Sequence, residues 1–102
     1  MNYRRYDMTK RQEIIHFLTQ ADFSARELSK ATSTREKDVY DHLHHIEKSA
    51  KNLPYKFKIT SAQCLSCDFV FKKRDRLTRP SKCPKCKNQQ IEPARFQLIG
   101  NG

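Results

Sequence analysis

The sequence predicts an α+β chain in two parts, a helical first half arranged as a helix-turn-helix and a strand-rich second half built as a ribbon around four cysteines. Three observations predict it. Hydroxyl residues followed three positions later by Glu or Gln precede apolar helical stripes in the first half. Apolar and polar residues alternate in two segments of the second half. Between those segments lie two Cys-x-x-Cys pairs.

The first helix opens at Thr9-x-x-Gln12, a capping box in which each side chain closes the other residue's backbone amide. Ile14, Ile15, Phe17 and Leu18 follow at helical spacing, and the helix fades near Gln20. Ser24-x-x-Glu27 is a second capping box, leading a short helix with Ala25, Leu28 and Ala31 on one face; Thr32 and Ser33 interrupt it. Ser33-x-x-Glu36 reads as a third box, opening a longer helix over 34–50 that buries Val39, Leu43 and Ile46 and stops before Pro54. A short helix, a tight polar turn and a longer helix make a helix-turn-helix, the alternative being any small three-helix bundle. In the helix-turn-helix reading, the exposed early residues of the third helix enter the major groove: Thr34, Arg35, Lys37, Asp38, Tyr40 and Asp41. Arg35 and Lys37 suit phosphate or guanine, whereas Asp38 and Asp41 oppose a polyanion. His42, His44 and His45 share this helix, but no single face gathers three good metal ligands.

In the second half, Tyr55, Phe57 and Ile59 alternate with Lys56, Lys58 and Thr60, and Ala94, Phe96 and Leu98 alternate with Arg95 and Gln97. These two strands can pair as a hairpin that closes the cysteine region at its base. Cys64 and Cys67, then fifteen residues, then Cys83 and Cys86 form paired knuckles. Two residues between cysteines let one tight turn aim both sulfurs at one point, so two turns make a tetrahedral set of four thiolates with no open position. Phe69, Val70 and Phe71 read as a short strand leaving the first knuckle. One structural zinc ion is the expected metal; four thiolates also suit iron.

The chain of 102 residues carries a net charge of +10. Residues 1–53 hold 10 Lys/Arg against 8 Asp/Glu, and residues 54–102 hold 11 against 3, so +8 of the charge belongs to the cysteine half. Lys72, Lys73, Arg74, Arg76, Arg79, Lys82 and Lys85 crowd one stretch with a single acid, Asp75. Such a patch points to nucleic-acid phosphates. Tyr3, Arg4, Arg5 and Tyr6 form a smaller basic-aromatic tail. No signal peptide or long apolar run is visible, so a cytoplasmic location with reduced thiols and no membrane association is expected. Gly100 and Gly102 are the only glycines, which excludes a Gly-rich phosphate loop, and no nucleophile, base and orienter stand out; an enzyme is not expected.

The stretch 24–43 resembles the winged helix-turn-helix of small bacterial and archaeal regulators, chiefly through Arg26-Glu27-Leu28 and Val39-Tyr40-Asp41-His42-Leu43. The knuckles resemble a rubredoxin-like zinc ribbon, with Asp68 and Lys87 where that family usually has glycine. From about Thr9 to Ile99 the whole resembles a family of predicted regulators, chiefly archaeal, that fuse the two, with the ribbon inserted in or replacing the wing. The resemblance implies 1–60 and 91–102 as the winged helix-turn-helix and 61–90 as the ribbon. It also implies a transcriptional regulator that binds double-stranded DNA, with 34–50 as recognition helix, a homodimer being one option. The alternatives are a protein- or RNA-interaction module of transcription or RNA-processing machinery, and a rubredoxin-like electron carrier.

Overall fold

A computed structural model describes residues 8–72, 77 and 80–100. Three helices, α1 (Lys10–Gln20), α2 (Ala25–Thr32) and α3 (Glu36–Ser49), are followed by one 3₁₀ turn (Ala50–Asn52). The strands are β1 (Phe23–Ser24), β2 (Tyr55–Thr60), β3 (Gln63–Cys64), β4 (Ile91–Glu92) and β5 (Arg95–Gly100). The order β1-β5-β2 makes an antiparallel sheet, and β3-β4 make a second, smaller one. Among the described residues, no helix is long and apolar enough to cross a membrane.

Two capping boxes form as the sequence predicts. Gln12 N–H donates to Thr9 Oγ1 at 3.1 Å while Thr9 N–H donates to Gln12 Oε1 at 2.9 Å. Glu27 N–H donates to Ser24 Oγ at 3.2 Å while Ser24 N–H donates to Glu27 Oε1 at 2.9 Å. The third box does not form. Ser33 is instead the end cap of α2, in the left-handed conformation at φ 53°, whereas an N-cap needs extended backbone. Thr34 N–H donates back to the Ser29 carbonyl, and the Thr34 hydroxyl donates to the Thr32 carbonyl. Both residues are therefore spent closing α2, and α3 starts at Glu36 with Arg35 at the cap position, whose side chain makes no capping hydrogen bond. Glu36 and Asp38 face the positive end of the helix dipole in its place.

The helices and the larger sheet share one core: Ile14, Leu18, Ala25, Leu28, Val39, Leu43, Ile46, Leu77, Phe96 and Leu98. The predicted stripes supply most of it. Leu77 comes from the segment between the knuckles. β5 is the central strand and buries Phe96 and Leu98; β2 lies at the edge, where Phe57 is half-buried against Phe96 and Ile59 is 41% exposed. The apolar face of β2 thus stops short of the predicted alternation, because an edge strand lacks a neighbour to cover it.

The two-residue strand β1 was not foreseen, being too short for alternation to register. It places Phe23 opposite Phe96 and Ser24 opposite Arg95. Arg95 then reaches Glu27 Oε1 at 2.8 Å and Asp22 Oδ1 at 3.3 Å, fastening the start of β5 to the start of α2. Burial would lower the Arg95 pKa, but the two carboxylates outweigh it and hold the guanidinium more firmly charged.

A second core, Ala62, Cys64, Phe71, Cys83 and Ile91, surrounds the knuckles. The predicted strand over 69–71 reduces to a single bridge between Val70 and Gln63 and an edge-on contact of Phe69 with Phe71. Ala94 packs against both cores. Phe96→Ala should cost about 3–5 kcal/mol of stability in chemical denaturation, while Ile59→Ser at the edge should stay within about 0.5 kcal/mol. Equal costs would mean that β5 is not the buried centre of the sheet.

Candidate metal centre

Both knuckles are built by the same backbone bonds. Cys64 N–H donates to the Phe69 carbonyl and Cys83 N–H to the Asn88 carbonyl, each at 2.8 Å. Asp68 N–H returns to the Cys64 carbonyl at 3.0 Å and Lys87 N–H to the Cys83 carbonyl at 2.9 Å. Closing these turns requires left-handed backbone just after the second cysteine. Asp68 sits at φ 63° and Lys87 at φ 66°. The departure from glycine at both positions therefore leaves the turn intact, at a steric cost of about 1–2 kcal/mol per residue. Asp tolerates this conformation better than Lys.

The turns bring all four sulfurs within 4.8 Å of one another. The shortest distances cross between knuckles: Cys64 Sγ to Cys86 Sγ is 3.5 Å and Cys67 Sγ to Cys83 Sγ is 3.6 Å. These are far beyond a covalent S–S bond, and all four cysteines are free. A tetrahedral ion with metal–sulfur bonds of about 2.3 Å separates its thiolates by about 3.8 Å, so the clustered donor set suits a single metal ion. Cys64 and Cys83, the first of each pair, are buried; Cys67 is half-buried and Cys86 exposed.

Backbone amides prepare Cys83 and Cys64 for negative charge. Burial pushes the Cys83 thiol up, but the amides of Cys86 and Lys85, with the neighbouring sulfurs, bring it down to about 7. Burial likewise opposes Cys64, whose pKa is lowered by the amides of Cys67 and Ser66. The Phe69 amide pulls Cys67 down, but burial and the other sulfurs push it up to about 12. Crowded thiols thus retain protons that a metal ion must displace.

The predicted nucleic-acid residues are not gathered in the same way. Thr34 is half-buried with its hydroxyl spent on Thr32. Arg35 is exposed but pairs with Asp38 at 3.1 Å. Tyr40 packs against the larger core and is not the exposed residue that its position suggested. Lys37, Lys72 and Lys82 are exposed. Lys73, Arg74, Arg76, Arg79 and the tail Tyr3 to Tyr6 lie outside the described residues. His42 accepts a hydrogen bond from Arg11 Nε at 3.2 Å, and burial together with Arg11 lowers its pKa; among the described residues no three-ligand group includes a histidine. Sequence reasoning missed the roles of Leu77, Ala94 and Arg95. A lone leucine within a run of cations was the available signal for Leu77.

Residues 9–57 match the family described as PF0610-like, N-terminal. Residues 61–100 match the PF0610 rubredoxin-like zinc beta-ribbon domain. The chain is similar to the solution NMR structure of protein PF0610 from Pyrococcus furiosus, with 38% identity, 87% of each chain covered and a TM-score of 0.73. No curated protein matches it.

Removal of the metal by a strong chelator should abolish hydrogen-exchange protection at Cys64, Cys83 and Ile91 while protection at Leu18 and Leu43 persists. Unchanged protection in the ribbon would show that the sulfurs do not hold it together. Separately, Lys87→Gly should raise stability by about 0.5–1 kcal/mol at 25 °C, because relief of the left-handed strain exceeds the added freedom of the unfolded chain. Denaturant titration measures it; a loss of stability would contradict the strain at this position.

Proposed function

We propose a DNA-binding regulatory function for this chain, which belongs to the PF0610-like family and carries both of its parts. In this reading residues 1–60 and 91–102 form a winged helix-turn-helix with β2 and β5 as the wing. Residues 61–90 form the ribbon, held by one structural zinc ion on Cys64, Cys67, Cys83 and Cys86. Four thiolates close the coordination sphere, so the metal folds the ribbon and activates no water. The chain acts without catalysis.

The charge distribution carries the proposal. Residues 54–102 hold 11 cations against 3 acids, an excess that a polyphosphate backbone complements. Lys56 and Lys58 on β2 and Lys72, Lys82, Lys85 and Lys87 in the ribbon are exposed and available for phosphates. α3 supplies base-edge contacts through Arg35 and Lys37, with Arg35 leaving its exposed pairing to Asp38.

One observation favours a second reading. α3 bears Glu36, Asp38, Asp41 and Glu47 against Lys37 and Lys48, a net −2 on the helix assigned to a polyanion. A protein-interaction module of the transcription or RNA-processing machinery uses that face for a basic partner, with the ribbon on nucleic acid or free.

Binding of the metal-loaded chain to random duplex DNA, duplex RNA and single strands across a salt series separates the two. The DNA-binding reading expects tight duplex-DNA binding whose logarithmic salt slope is about −0.9 per phosphate contact. Lys72→Ala, Lys82→Ala and Lys85→Ala together should flatten that slope by about 2–3 on every sequence. Absence of duplex binding at low salt selects the interaction module. The metal content of the same sample tests zinc: a red, iron-loaded protein would support electron transfer instead.

A further inference from the structure

The four sulfurs are chemically unequal, although the two knuckles share one backbone pattern. Cys83 Sγ accepts the amides of Lys85 at 3.3 Å and Cys86 at 3.5 Å. Among the described residues, no backbone N–H reaches Cys86 Sγ. The sulfur nearest to it is Cys64 Sγ at 3.5 Å. Cys86 is also the exposed cysteine, while Cys64 and Cys83 are fully covered.

Amide hydrogen bonds to a metal-bound thiolate withdraw electron density and blunt its nucleophilicity, and burial blocks access. The sulfur lacking both protections reacts first with an electrophile. Lys82, Lys85 and Lys87, all exposed, flank this knuckle and attract anionic or polarised oxidants. The nearest sulfur to resolve the product belongs to the other knuckle, not to Cys83.

We infer that Cys86 is the modification site of the ribbon toward hydroperoxides, and that its oxidation closes a Cys64–Cys86 disulfide that links the two knuckles and releases the metal. In the first step the Cys86 thiolate attacks the near oxygen of the hydroperoxide. The O–O bond breaks, a sulfur–oxygen bond forms, and with hydrogen peroxide one water leaves after a proton is taken from solvent. In the second step the Cys64 thiolate attacks the Cys86 sulfur, expelling hydroxide that is protonated to a second water. Two thiolates, one hydrogen peroxide and two protons become one disulfide and two waters. The two-electron loss falls on the sulfurs, so the metal leaves unreduced and unoxidised. Cys67 and Cys83 alone then supply half of a tetrahedral donor set, which does not retain the ion.

The experiment treats the full, metal-loaded chain with substoichiometric hydrogen peroxide. Metal release is followed with a chromogenic chelator, remaining thiols are blocked, and the first disulfide is mapped by mass spectrometry. Cleavage after Lys85 separates Cys83 from Cys86, and cleavage after Leu65 separates Cys64 from Cys67. The expected first link is Cys64–Cys86, appearing at the rate of metal release. Cys86→His keeps a metal-binding side chain that peroxide attacks poorly, and should slow release by about tenfold or more. A first link within one knuckle, a first link through Cys67, or undiminished release from Cys86→His would each overturn the assignment. If Cys86→His fails to load metal, the position of the first disulfide in the unaltered chain decides the matter.

Discussion

The antiparallel pairing of β2 with β5 is the constraint on which both halves depend. Its register runs from Tyr55 opposite Gly100 to Thr60 opposite Arg95. A shift by one residue would turn Phe96 and Leu98 out of the helical core and expose them. The same register fixes where the chain leaves β2 and returns to β5, and so sets the base on which the ribbon stands. Arg95 and Ala94 lie at that base, the first tied to α2 and the second touching both cores. The metal centre organises what lies beyond the base. The ladder and the four thiolates thus hold a polypeptide whose second half has too few apolar side chains to close a core alone.

Much of this was legible in the residues, and the failures have physical causes. Thr9-x-x-Gln12 and Ser24-x-x-Glu27 announced their helices because capping is local chemistry. Ser33-x-x-Glu36 carries the same pattern but fails, since the preceding helix needs Ser33 in a left-handed cap; two helices three residues apart compete for the same turn. Cysteine spacing specified the clustered sulfurs because two intervening residues leave little choice of turn. It could not rank the sulfurs, because exposure and amide bonding depend on how each knuckle sits against its neighbours. β1, the reach of Leu77 and the ion pairs of Arg95 are contacts between distant segments, and no local pattern encodes them.

Charge and structure divide the chain in opposite ways. The helical half buries its apolar stripes and balances its surface charges in pairs such as Lys10 with Glu13 and Arg35 with Asp38. The strand-and-ribbon half carries 11 cations against the acids Asp68, Asp75 and Glu92, and its Arg95 draws on acids of the helical half. A nearly neutral scaffold therefore carries a strongly basic appendage. On the proposed function, the affinity for a polyanion resides mainly in the part whose folding needs a metal, and loss of the ion removes the phosphate-binding surface along with the fold of the ribbon.

The left-handed turns at Ser33, Asp68 and Lys87 are all made without glycine. A side chain at such a position trades one kind of penalty for another. It narrows the wandering of the unfolded chain, a saving that grows with absolute temperature, and accepts a fixed steric cost that does not. Glycine would do the reverse. The balance between the two choices therefore tilts toward the side chain as the surroundings warm, and this chain has placed its turns on the side favoured by heat.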